Sequence, residues 1–214
     1  MTSVTRKRKD GAERPAPAEA QLLAAVERLL KRGEVFTEIS VRQIIEEAGL
    51  SRATFYAHFK DKSQLLIRLS DTLRSGLVGM AQKWDPSAGE DGAARYAEFF
   101  AEVIAIHRDN FAILSALREL ASYDPTVRDF YTADLEEFDE AVHKTLVDEQ
   151  ASGSTPADLD AVAASRVIVW GGAQAIARHI SVDDGSGDAA FARELGKIWW
   201  HGAYRRPGDR PAAR

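Results

Sequence analysis

Apolar positions recur every three or four residues through nearly the whole chain, and no stretch alternates with period two over a strand's length. The first stripe is Leu22, Leu23, Val26, Leu29 and Leu30, opened by Pro17 and closed by Gly33. Ser40 and Gln43 form a capping box ahead of a second stripe, Val41, Ile44, Ile45 and Ala48, which Gly49 ends. Ser51 caps a third, short helix bearing Thr54, Phe55, His58 and Phe59. Asp61 and Gln64 repeat the capping-box pattern for a fourth helix with Leu65, Leu66, Leu69, Leu73, Leu77 and Met80, running toward Trp84. A break follows over 85–89. Further helices are predicted over about 92–106 and 109–121, then from Asp124-Pro125 through Leu146, from Thr155-Pro156 to about Ile180, and over about 189–204. The pattern predicts an all-α protein of about nine helices, with no internal repeat.

Composition narrows the classes. Apolar residues are 45% and charged residues 29% of the 214, an ordinary globular balance. The absence of cysteine excludes disulfides, thiolate metal sites and cysteine nucleophiles. No apolar run approaches the roughly 18 residues of a membrane span. Arg6 to Lys9 are followed by no apolar signal core, so a cytoplasmic protein is expected. The net charge of −5 is unevenly spread: residues 1–68 hold 13 Lys and Arg against 9 Asp and Glu, and the remainder 15 against 24. A basic first third on an acidic body suits contact with a polyanion, although a basic tail beside ordinary surface charge gives the same balance.

The densest information lies in Ser40 to Lys62, SVRQIIEEAGLSRATFYAHFKDK. Two short helices meet at Ala48-Gly49-Leu50, a turn that needs a small residue where they cross and a glycine where φ turns positive. Phe55 and Phe59 anchor the inner face of the second. Arg52, Ala53, Thr54, Tyr56, Ala57 and His58 remain for the outer face, where such side chains contact bases and phosphates. The bland reading is a helical hairpin with a solvated face.

The ordered string Ile39-Ser40-Val41, Ile44-Ile45, Ala48-Gly49-Leu50-Ser51, Thr54-Phe55-Tyr56, His58-Phe59, Lys60-Asp61-Lys62 and Leu65-Leu66 resembles the TetR family of bacterial transcriptional repressors, over about residues 20–66. The resemblance implies a homodimer whose recognition helix runs 51–58. It places DNA contacts on Arg42, Ser51, Arg52, Ala53, Thr54, Tyr56, His58 and Lys62. Many relatives carry another small residue or proline at the position of Ala53. The implied organisation is a basic mobile arm over 1–16, a helix-turn-helix domain over 17–64, a ligand-binding and dimerisation domain over 65–204, and a mobile tail over 205–214.

After residue 80 the chain looks most like the actinobacterial branch related to the ethionamide-resistance regulator. The row Tyr131, Leu135, Phe138 and the ending Lys197-Ile198-Trp199-Trp200-His201-Gly202-Ala203-Tyr204 carry this likeness. Where some of those relatives place asparagines, this chain has Trp170, Gly171, Gly172 and Gln174. Tyr96, Phe99, Phe100, Val103, Phe111, Leu114, Tyr131, Leu135, Phe138, Trp170 and Trp199 are the expected apolar lining of a pocket, with Gln174 as a polar contact. Each of these, taken singly, is better explained as core. The last two helices, near 157–180 and 189–204, are the expected dimer surface, with the small residues Ala161, Ala164, Ser165, Gly171, Gly172 and Ala175, and Ile168 and Ile176, on the penultimate one.

Nothing calls for an enzyme. The five histidines show no i, i+4 metal pair, Gly185-Ser186-Gly187 is no nucleophile elbow, and Glu136, Glu137, Asp139 and Glu140 read as a solvated face. No metal or cofactor is expected. The expectation is a repressor released from a palindromic double-stranded DNA operator by a small apolar or amphipathic effector. The alternative is a helical carrier or enzyme with a vestigial DNA-binding hairpin, which retention on DNA would separate.

Overall fold

The computed structural model describes residues 17–82 and 91–207. The basic arm, Trp84, the break at 85–89 and the last seven residues lie outside the described residues, as do the side chains of Leu77 and Met80. The described residues are helical throughout, without strands, and the chain divides into two compact units after Thr72.

In the first unit, α1 (Pro17–Lys31), α2 (Val41–Ala48), α3 (Arg52–His58) and the start of α4 (Lys62–Gln82) enclose one core. Leu22, Val26, Ile44, Phe55, Leu65 and Leu66 have no exposed surface. Helices α2 to α4 start where their caps dictate. Ser40 accepts from the Gln43 N–H at 3.2 Å while its own N–H donates to Gln43 Oε1 at 2.8 Å. Ser51 accepts from the Thr54 N–H at 3.1 Å. At α4 Asp61 accepts from the Gln64 N–H at 2.9 Å, but Gln64 Oε1 takes the N–H of Lys60 rather than that of Asp61. Gly49 adopts φ 67°, and the N–H of Leu50 reaches back to the Ile45 carbonyl at 3.0 Å. This left-handed stop satisfies carbonyls of α2 and turns the chain sharply into α3. At the surface, Arg28 and Arg32 hold Glu47 at 2.6 and 2.8 Å, joining α1 to α2.

The second unit is built from α5 (Gly92–Asp109), α6 (Phe111–Ala121), α7 (Pro125–Ala151), α8 (Ala161–Val182) and α9 (Asp188–Trp199), the last continuing as a π-helical turn, Trp200–Tyr204. α9 lies directly on α5, because a Cβ at Gly196 would stand 2.6 Å from the Ala93 carbonyl oxygen and 2.7 Å from the Ala97 nitrogen. Two sequence expectations are corrected. The penultimate helix begins at Ala161, capped by Asp160, and not at Thr155. Thr155 is instead buried in the preceding turn, its hydroxyl donating to the Tyr204 carbonyl at 2.7 Å. The small-residue stripe of α8 is moreover only partly an outer face: Ala161, Ser165, Ile168, Gly172 and Ile176 are buried within the protomer, whereas Gly171 is exposed. Small side chains there admit neighbouring helices and the Trp199 indole, 3.4 Å from where a Gly172 Cβ would sit.

Candidate functional site

The first unit presents α3 as a short ledge. Seven residues are too few for a helix to persist alone, so its rigidity comes from its cap and its buried anchors. Phe55 and Phe59 are buried, their ring centroids 6.0 Å apart, and Phe55 meets Tyr56 edge-on at 5.2 Å. Ser51, Arg52, Ala53, Tyr56 and Ala57 are exposed, and Thr54 and His58 are half-buried. The Arg52 guanidinium lies over the Tyr56 ring, 5.5 Å from its centroid. Two large polar side chains are thus held as a pair on one outward face. Thr54 Oγ1 is 2.8 Å from the Ser51 hydroxyl, so part of its hydrogen-bonding capacity serves the cap. Arg42, at the start of α2, is exposed and pairs with Glu46 at 2.7 Å.

Lys62 departs from the expected DNA-facing set. Its ammonium donates to the carbonyls of Phe36, Thr37 and Ile39 at 3.1, 2.7 and 3.0 Å and lies 5.3 Å from the Phe36 ring centroid. An ammonium has three N–H donors, and all three are engaged inward. Lys62 therefore clamps the loop ahead of α2 to the start of α4. Lys60, by contrast, is exposed just beyond α3.

In the second unit, α5, α7, α8 and α9 enclose a cavity of about 160 Å³. Six of the expected lining residues form its wall: Phe99, Phe100, Val103, Leu135, Phe138 and Trp199. The other six do not line it. Tyr96 is 1% exposed and locked in the core against Phe100, Trp199 and Tyr204. Phe111 and Trp170 pack on the outside of that core, Leu114 and Tyr131 are half-buried elsewhere, and Gln174 faces solvent. α8 completes the wall with Val169, Gly172, Ala173 and Ile176.

Two polar lining groups, His107 and Asp134, were missed from sequence. His107 Nδ1 is 2.8 Å from the Val103 carbonyl, and burial pushes the imidazole below its ordinary pKa, with the charge of Arg118 acting the same way. Burial likewise raises Tyr131 and lifts Tyr204 to about 12, so both phenols stay protonated.

Away from the cavity, His179, Asp183 and Asp188 bring potential ligand atoms within 4.8 Å of one another. A cation is already there. Arg108 binds Asp188 at 2.5 and 2.8 Å and the Asp183 carbonyl at 2.7 Å, holding Asp188 below its usual range. This network pins the α8–α9 loop to α5.

Residues 22–69 match the family described as "Bacterial regulatory proteins, tetR family". The match spans α1 to the first turns of α4, so the first unit is similar to the N-terminal region of that family. Over 148 residues it is 28% identical to the HTH-type transcriptional regulator EthR of Mycolicibacterium smegmatis, a match spanning 67% of this chain and 66% of that protein. The fold is shared with Salmonella enterica GusR at a TM-score of 0.68 and 20% identity, covering 91% of this chain and 98% of that one. The fatty acid degradation regulator FadR from Bacillus halodurans matches at a TM-score of 0.66 and 16% identity, covering 91% and 100%. TetR proteins are regulators rather than a class of enzymes, and among the described residues no helix is long and apolar enough to cross a membrane.

Proposed function

We propose that this protein is a homodimeric transcriptional repressor of the TetR type acting in the cytoplasm. Its α2–α3 hairpin reads a near-palindromic double-stranded DNA operator, and a small apolar or amphipathic effector in the second unit releases it. The observation that carries this reading is the Arg52–Tyr56 pair, exposed on a capped, internally anchored helix of the length that enters a major groove. Arg52 and Thr54 read base edges, while Arg42, Tyr56 and Lys60 hold phosphates. The effector occupies the cavity lined by Phe99, Phe138 and Trp199. The dimer forms through the outward stripe of α8, Val167, Gly171, Gln174 and Arg178, with Ile198 of α9. Val167 and Ile198 are 71% and 59% exposed in the single chain.

The test is selection of an operator from random duplex DNA, followed by binding to that site and to random sequence. Arg52→Ala is expected to cost about 1–3 kcal/mol on the operator and little on random DNA. Equal loss on both removes the base-reading role. A protein that selects no sequence and is not retained on DNA supports a helical carrier instead.

A further inference from the structure

The cavity joins apolar space to one well-defined hydrogen-bonding group. His107 sits at the end of the α5 row that begins with Phe99 and Val103. A carbonyl oxygen only accepts, so the 2.8 Å contact from Nδ1 to Val103 places the ring proton on Nδ1. Burial and Arg118 both disfavour a second proton, which leaves Nε2 with a bare lone pair. Asp134 already interacts within the protein. Nε2 thus adds a neutral acceptor to the wall, beside the carboxylate of Asp134.

This arrangement discriminates by chemistry. A carbonyl or carboxylate head would oppose lone pair to lone pair, and Asp134 in the wall disfavours an anion further. An ammonium would be drawn toward Asp134 but would have to shed its water beside a ring that already feels the positive charge of Arg118. A neutral hydroxyl or N–H supplies one donor to one acceptor at little desolvation cost. The volume of about 160 Å³ is close to that of apolar cavities that hold a single benzene.

We propose that the cavity binds an apolar molecule about the size of one aromatic ring, recognised through a single neutral O–H or N–H donor to Nε2 of His107. Phe99, Phe138 and Trp199 hold the apolar body, and His107 sets its orientation. The proposal rests on reading this cavity as the effector site.

The full-length protein is titrated calorimetrically with benzyl alcohol and with ethylbenzene, its shape-matched counterpart without the donor, in wild type and in His107→Leu. Water releases the two probes unequally, so the quantity read is the change in their affinity ratio. His107→Leu should weaken benzyl alcohol relative to ethylbenzene by about five- to tenfold, the range of one net hydrogen bond. Equal loss of both probes, tighter binding of benzoate than of benzyl alcohol, or no saturable binding by wild type overturns the proposal. A second measurement needs no variant. In wild type carrying ¹⁵N-histidine, saturating benzyl alcohol should shift the Nε2 resonance of His107 and ethylbenzene should not. An unmoved Nε2 overturns the proposal too. Operator binding by the unliganded protein is scored separately, so failure of the regulator reading shows as loss of DNA retention while the probe titrations stand on their own.

Discussion

Lys62 Nζ stands 3.0 Å from the carbonyl of Ile39, a hydrogen bond that turns a cation of the basic third inward. Two neighbouring carbonyls complete its shell, so the side chain fastens α4 to the loop that presents α2. Lys62→Met should destabilise the first unit by about 2 kcal/mol, the order of a hydrogen bond to a charged group. Once folded, the variant should keep the salt dependence of DNA binding. Lys60→Ala should do the reverse, leaving stability intact and lowering the salt slope by about one unit on any sequence. Thermal melts beside binding over a salt series separate the two lysines, and a reduced slope for Lys62→Met would return it to the DNA face.

Glu47 gives the first unit an acid limit. Hydrogen bonds from Arg32 and Arg28 hold its carboxyl down from 4.5 to about 2. A depressed carboxylate binds fewer protons folded than unfolded, so its stabilisation is complete above the unfolded value and fades as pH falls from about 4.5 toward 2. Glu47→Gln should be less stable than wild type at pH 7, and the difference should narrow across that window. Denaturant midpoints at pH 7, 4 and 3 provide the check. A gap that stays constant would mean that the two arginines lend Glu47 no pH-linked stability.

The first unit was legible because its local signals agree. Ser40, Ser51, Gly49 and the buried Phe55–Phe59 pair are all short-range features, and the boundaries of α2 and the start of α3 follow from them. The inward turn of Lys62 was not legible because its partners, 23 to 26 residues earlier, come near only on folding. Half of the expected cavity lining was found from aromatic content, which does not separate wall from core: Tyr96 belongs to the core and Phe99 to the wall. Helical phase would have helped more. Phe99, Val103 and His107 fall four apart on α5, and Val169, Gly172, Ala173 and Ile176 share one face of α8. That face turns inward, while Gly171 beside it is exposed, so small size alone did not separate the inner face from the outer one.

The dimer reading now has a sharper test. Gly171 is exposed, with open space around the position of an added Cβ, whereas Ala164 packs against the core of its own chain. Gly171→Arg should leave the protomer folded, dissociate dimers and reduce operator affinity in step, because it sets a bulky charge on the proposed two-fold contact. Ala164→Arg should instead lower the melting temperature. Sedimentation and circular dichroism distinguish the outcomes, and a dimeric Gly171→Arg protein with full operator affinity would move the interface elsewhere.

Gly172 tests whether the cavity is coupled to DNA. It lies in the α8 wall, with the Trp199 ring 3.4 Å from where its Cβ would be. A phenyl group added there must use the cavity's own space, so Gly172→Phe should exclude benzyl alcohol. Under the repressor reading it should also imitate an effector and weaken operator binding in the absence of any ligand. The size of that effect is bounded by linkage: a tenfold preference of one occupied site for the released state is worth about 1.4 kcal/mol, and two sites about 2.7 kcal/mol. Operator affinity of the variant should therefore fall by up to about a hundredfold, and added benzyl alcohol should change it no further. If the variant excludes the probe, stays folded and dimeric, and binds the operator as wild type does, occupancy of this cavity does not control DNA release.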